Sequence, residues 1–206
     1  MSKLITFGCS FTVGVGLPDV YPRNDTPSAM AWPALLGEKL GLEVENRGIP
    51  RGGNLEILHK ILKTDIQPDD VCVILWSSFL RHDQFVMELD FGDGRRIEVE
   101  DFVKYTDVTS PAWINHNRNK NWLTIHHASC YLQSLGVKFC SLLGIVDTGL
   151  VTGYRPDNIH IPNFIDDIRP RRWRIDEGLD GLPGMQGHPG VASQKLLSQL
   201  LYDRMK

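Results

Sequence analysis

The sequence has no apolar run long enough for a membrane-spanning helix, which needs about 20 consecutive apolar residues. It has no excess of positive charge. Lys and Arg number 22 against 25 Asp and Glu, a formal net charge of -3. The basic footprint of a nucleic-acid binder is therefore missing, although Arg169, Arg171, Arg172 and Arg174 form a local basic cluster. It has only four cysteines, Cys9, Cys72, Cys130 and Cys140, with no CxxC pair. Three lie in apolar runs, so buried free thiols are expected rather than disulfides or a metal site. The opening MSKLITF runs straight into an apolar segment and lacks a signal peptide's long apolar stretch and cleavage site. The expectation is a cytoplasmic protein with no nucleic-acid partner and no membrane partner. No repeat or linker interrupts the 206 residues, so one domain spanning 1–206 is expected.

What is present is organised around the first fourteen residues. Leu4, Ile5 and Phe7 make a short apolar run, and Gly8-Cys9-Ser10-Phe11-Thr12 follows at once. This reads as a buried strand that stops abruptly with Ser10 at its C-terminal tip. In open α/β sheets, ligands bind outside the carboxyl ends of the strands. Ser10 is therefore a candidate nucleophile; the other reading is a turn serine bonded to nearby backbone.

Residues 12–28 are rich in Gly, Pro and Asp and read as a loop over the strand ends. A helix is expected from Pro27 or Ser28, with Trp32, Leu35, Leu36 and Leu40 at helical spacing and Gly41 as its stop. Residues 42–46 alternate as a strand would. A glycine-rich loop follows, ending in Gly52-Gly53-Asn54, and Asn54 is the natural N-cap of the next helix. Val71-Cys72-Val73-Ile74-Leu75-Trp76 is apolar on both faces, as a central parallel strand should be. The β-α-β-α-β order predicts a parallel sheet with helices on both sides. Two alternating runs around Gly92-Asp93-Gly94 then predict a β-hairpin, taken as an insertion over about 85–119. Residues 106–121 look irregular and 122–135 helical; 137–143 are the next buried strand. A long loop over about 144–188 precedes a final helix from Pro189 to Arg204.

Three strand ends and one late loop converge in this plan. They carry Ser10, then Gly52, Gly53 and Asn54, then Ser77 and Ser78, and last His188. A serine that meets a distant histidine is the arrangement that nucleophilic acyl transfer needs. Glycine-rich backbone or an Asn amide supplies oxyanion donors. These motifs resemble those of the SGNH (GDSL-like) hydrolases. Gly8-Cys9-Ser10-Phe11-Thr12 is similar to the family's GDS-type first block, and the opening also resembles phage and bacterial members. Residues 46–54 are similar to its second block, and His188 with Pro189 to its last.

The resemblance implies a three-layer α/β/α sandwich of flavodoxin-like type with a mainly parallel sheet. It implies an esterase without a cofactor, acting on a small-molecule or carbohydrate ester such as an O-acetyl group. Ser10 would attack and His188 would act as base. Gly52, Gly53, Asn54 and Ser78 would surround the oxyanion, with Arg81 near an anionic or sugar-like group. Two features of the family pattern are absent. The third block lacks its Asn, since the chain reads Trp76-Ser77-Ser78. The last block lacks its Asp, since Met185 stands three residues before His188. Asp180 or Glu177 would then supply the carboxylate from the preceding loop. The alternative is a catalytically impaired binding or virion-associated protein that keeps the cleft, with His188 packed beside the last helix.

Other candidates take bland roles. Arg81, His82 and Asp83 more often form a solvated ion pair. Adjacent His126 and His127 do not share a helix face. Asp147, Asp157 and His160 show no metal spacing. Gly14-Val15-Gly16 lacks the rest of a dinucleotide fingerprint. Trp113, Trp122 and Trp173 line a carbohydrate groove or, more simply, anchor core and loops.

Overall fold

The computed structural model describes residues 2–21, 26–79, 81–86, 89–90, 96–97, 101–105, 111–145, 161–165, 167–168, 170–178 and 187–206. Among the described residues, four parallel strands build the main sheet. β1 (Lys3–Gly8), β2 (Glu43–Asn46), β3 (Val71–Trp76) and a later strand over Lys138–Leu143 stand in the order β2, β1, β3, then that last strand. Strand side chains alternate between faces, and the apolar residues of β1 and β3 divide accordingly. Ile5, Phe7, Cys72, Ile74 and Trp76 enter one core, whereas Leu4, Val73 and Leu75 enter the other. Both faces of these strands are therefore buried, which is why their sequences read as continuous apolar runs.

Helices cover both faces. After β1 comes a single turn, α1 (Ser10–Val13), and then α2 (Trp32–Leu40). α3 (Asn54–Leu62) follows β2. Ile57 and Ile61 of α3 join the first core, and Trp32 and Leu36 of α2 the second. The result is the three-layer α/β/α sandwich predicted from the sequence. Each large apolar side chain fully buried in it contributes roughly 1.5–3 kcal/mol of transfer free energy.

β4 (His82–Val86), β5 (Leu89–Asp90), β6 (Arg96–Ile97) and β7 (Asp101–Tyr105) form the excursion after β3. β4 pairs antiparallel with β7, and β5 with β6, in a nested hairpin arrangement. The Gly92-Asp93-Gly94 turn falls outside the described residues.

The starts of two helices differ most from expectation. α4 (Pro111–Ser134) starts well before Trp122. Proline suits the first turn of a helix. The run of Asn at 115, 117, 119 and 121 hides the helical period, yet Asn117 and Asn121 are buried. α2 starts at Trp32, not near Ser28, because the Ser28 hydroxyl donates to Asp19 and accepts from Met30 N in a separate turn. The orphan amide of Trp32 instead donates to Gln194 Oε1 at 2.9 Å. Gly41 ends α2 as expected, at φ 65.

The last sheet strand is β8 (Lys138–Leu143). Its outer edge is partly covered by the segment around Phe164. Ser141 N donates to Asn163 O, and Ile165 N donates to Ser141 O. α5 (Pro170–Trp173) follows, and α6 (Val191–Met205) closes the chain, two residues later than its expected start at Pro189. Leu197 and Leu201 of α6 enter the second core beside α2. Among the described residues, no helix is long and apolar enough to cross a membrane. Cys9, Cys72 and Cys140 are buried free thiols and Cys130 is an exposed one.

Candidate active site

β1 hands the chain to α1 across Gly8 and Cys9. A Cβ at Gly8 would stand 2.7 Å from Leu75 O and 2.1 Å from Thr12 Oγ1, so the turn excludes a side chain there. Cys9 is extended and acts as the N-cap of α1, and Ser10 is the first helical residue. Gly14 ends the turn at φ 84, with its amide donating to Ser10 O. The abrupt strand-to-helix switch thus fixes Ser10 at the strand tip, where it is 2% exposed.

His188 arrives from the other end of the chain. Its Nε2 lies 3.0 Å from Ser10 Oγ, across 178 residues of sequence. When the ring proton is on Nδ1, the serine hydroxyl donates to Nε2, the geometry a general base needs. The ring also meets Phe11 edge-on, with centroids 5.6 Å apart. Phe11 is itself held edge-on by Trp173 at 6.2 Å, and the Arg174 guanidinium sits 5.0 Å from its centroid. Burial pulls the Arg174 pKa below its ordinary value, partly offset by the nearby Glu177 carboxylate. Trp173 and Trp122 are buried core residues rather than groove-liners; the Trp113 side chain lies outside the described residues.

The second loop wraps against the strand tip. Asn46 Nδ2 donates to Thr12 O at 2.8 Å, its Oδ1 accepts from Gly48 N, and Ile49 N donates to Gly8 O. The Gly52 amide donates to Ile49 O at 2.9 Å and closes a turn whose third residue, Arg51, sits at φ 63. That amide is engaged in the turn rather than free for a ligand. Gly53, not Asn54, is the N-cap of α3. Among the described residues, the amides of Ser10 and Gly53 donate to no acceptor.

Two residues expected to meet a ligand have internal partners. Asn54 is 1% exposed. Its Oδ1 accepts from Ser77 N at 2.8 Å, and its Nδ2 donates to Ser77 O and to Asn121 Oδ1 at 2.6 Å. Arg81 Nη1 donates to Gly52 O at 3.0 Å and to Ser77 Oγ at 3.1 Å. Both side chains tie the loop after β3 to the loop after β2. They act as braces here, because buried polar groups take whatever partners the packing supplies. Ser78 is buried beside them, and its carbonyl accepts from Arg81 N.

Of the two carboxylates considered for His188, Asp180 lies outside the described residues. Glu177 is exposed, and its backbone forms an antiparallel bridge with Pro189. A third carboxylate, Asp176, was invisible in the sequence. It accepts from Ala192 N at 2.9 Å, from Ser193 N at 2.7 Å and from the Ser193 hydroxyl. Burial pushes its pKa up, but the Ser193 hydroxyl and these amides outweigh that and hold the carboxyl below its usual range. The partners are 16–17 residues apart in sequence, so no local capping pattern announces them. Among the described residues, no cluster of three His, Cys, Asp or Glu side chains is placed to hold a metal ion.

No protein-family model matches the chain, and no curated protein matches its sequence. Solved structures do match. A protein assigned to the lipolytic G-D-S-L family from Desulfitobacterium hafniense DCB-2 superposes with a TM-score of 0.55 at 17% identity, over 100% of both chains. An acetyl xylan esterase from the rumen bacterium Butyrivibrio proteoclasticus gives 0.57 at 12% identity, over 99% of this chain and 63% of its own. A carbohydrate esterase, described as having an active site with divergent catalytic and non-catalytic binding functions, gives 0.54 at 17%, over 99% of this chain and 68% of its own. At these identities the likeness speaks for architecture, and it agrees with the parallel sheet and the two helical layers. The fold of this chain is that of the SGNH (GDSL-like) hydrolases.

Proposed function

We propose that the protein is a serine esterase in which Ser10 is the nucleophile and His188 the general base. The observation that carries this reading is the 3.0 Å approach of Ser10 Oγ and His188 Nε2. Serine is a weak nucleophile until a base removes its proton. In the first step, Ser10 Oγ bonds to the ester carbonyl carbon while its proton passes to Nε2. The carbonyl oxygen becomes an oxyanion, and the backbone amides of Ser10 and Gly53 are the donors we assign to it. Collapse breaks the ester bond, and the imidazolium returns its proton to the leaving alcohol. Water then repeats the sequence on the acyl-serine, with His188 again taking and returning the proton. Asp180 is the carboxylate we assign to orient the ring. A family-type carboxylate partner is worth about 10⁴ in rate where it is present.

We infer a carbohydrate O-acetyl ester as the substrate class. The acetyl xylan esterase and carbohydrate esterase neighbours support it. A fluorophosphonate probe located by mass spectrometry tests the nucleophile, and acetylated saccharides test the substrate. Label at Ser10 that is lost in His188→Ala, together with acetate release, supports the reading. No label and no turnover of short acyl esters sinks it.

A second reading is a carbohydrate-binding protein that keeps the cleft without turnover. The internal engagement of Asn54 favours it, because its side-chain oxygen and nitrogen are both taken by Ser77 and Asn121. Saccharide binding without label or turnover would select it.

A further inference from the structure

Residues 174–178 run as a splint along the His188 loop. Arg174 donates to Gly187 O. Gly178 N donates to His188 O at 2.9 Å, and Gly190 N donates to Asp176 O at 3.0 Å. The histidine is therefore fixed on both sides by one short segment.

Asp176 anchors that segment. The N-cap of α6 is Gly190, which has no side chain with which to satisfy the first amides of the helix. Asp176 supplies the missing acceptor from outside, taking the Ala192 and Ser193 amides. The Ser193 hydroxyl completes the lock, accepting from Ile175 N and Asp176 N at 2.9 and 3.0 Å. The fit leaves no slack, since a Cβ on Gly190 would lie 2.4 Å from Asp176 Oδ2.

Resting on the esterase reading of Ser10 and His188, we propose that Asp176 is a positioning residue. Its carboxylate locks the first turn of α6 and its main chain locks Gly190, which together hold the His188 ring against Ser10. It does so through the backbone and without touching the reacting atoms. A base must sit within hydrogen-bond reach of the proton it takes, so small displacements of this loop act directly on rate.

The test compares wild type, Asp176→Ala, Asp176→Asn and Ser193→Ala on a p-nitrophenyl acetate assay. Rates are normalised to fluorophosphonate-labelled Ser10, and hydrogen exchange is read over 174–178 and 187–193. Asp176→Ala should lower kcat per labelled serine by about 10- to 100-fold, with KM changed less than about twofold. Exchange in both segments should rise about tenfold or more while the sheet stays protected. Asp176→Asn should recover most of the rate, because its amide oxygen still accepts from a helix amide. If Asp176→Ala does not fold, Ser193→Ala carries the test, with a rate loss of about threefold to tenfold. Unchanged kcat and unchanged exchange in the variants overturn the positioning role while leaving the esterase reading intact. A wild type inert to ester and probe, with faster exchange over both 174–178 and 187–193 in the variants, overturns the esterase reading and keeps Asp176 as the lock of the His188 loop.

Discussion

Asn54 Nδ2 donates to Asn121 Oδ1 at 2.6 Å inside the protein, joining the first turn of α3 to the middle of α4. The same amide group holds both backbone polar atoms of Ser77 at the end of β3. Removing it leaves buried donors and acceptors without partners, a loss of about 1–3 kcal/mol for each group stranded. Asn54→Ala should lower unfolding free energy by about 2–4 kcal/mol in urea titration. Ser10 labelling per folded molecule should persist. A stability change under about 0.5 kcal/mol would refute the brace, since that is the range of ordinary surface substitutions.

Ser10→Ala removes the nucleophile, and ester turnover should fall to background. His188→Ala keeps the hydroxyl but removes its base, and kcat should fall by about 10²- to 10⁴-fold. The assay is initial-rate hydrolysis of p-nitrophenyl acetate with protein checked for folding. Retention of wild-type rate in either variant rejects the roles assigned to the pair.

Thiol reactivity should separate the four cysteines. Burial pushes the Cys72 and Cys140 thiols up to about 12, and Cys9 is fully buried. The thiolate is the reactive form, so these three should resist a disulfide reagent at pH 8. Cys130 is exposed on α4 and should react at once. Counting released thionitrobenzoate should give one fast thiol in the native protein and four after denaturation. Fast release from more than one would mean that these sites open readily.

The Asp176 carboxyl has its pKa lowered in the folded protein. A depressed carboxylate adds stability above its unfolded pKa, and that stability is lost as pH falls through the folded value. Melting temperatures of wild type and Asp176→Asn should therefore differ at neutral pH. They should converge in acid, below the ordinary Asp range. A gap that persists unchanged in strong acid would show that the carboxylate charge contributes nothing.

Much of the architecture was legible because burial on both faces leaves an unbroken apolar signature. Val71–Trp76 and the Leu4–Phe7 run are central strands for that reason. The place of Ser10 was legible because an apolar run that meets Gly8-Cys9-Ser10 has to stop there. His188 was legible only through its resemblance to a family block, since nothing local in the sequence says that residue 188 returns to residue 10. α4 was half hidden because its asparagines are poor helix formers, yet Asn117 and Asn121 face inward and bond Phe79 O. The roles of Asn54, Arg81 and Asp176 were not legible at all. Each depends on partners brought close by tertiary packing, and a side chain's type does not reveal which carbonyl or amide it will meet.

The sheet has two rims, and each is protected against pairing with another chain by a different means. At one rim, β2 carries Glu43 and Glu45, and Glu45 is paired with Lys3 at 3.4 Å and with Arg47. Charged side chains on an edge strand oppose growth of the sheet into a neighbouring molecule. At the other rim, the main chain around Phe164 already occupies hydrogen-bonding positions of β8 at Ser141. A parallel sheet with apolar strands offers its edges as a template for aggregation, and this chain blunts it with charge on one side and by self-pairing on the other.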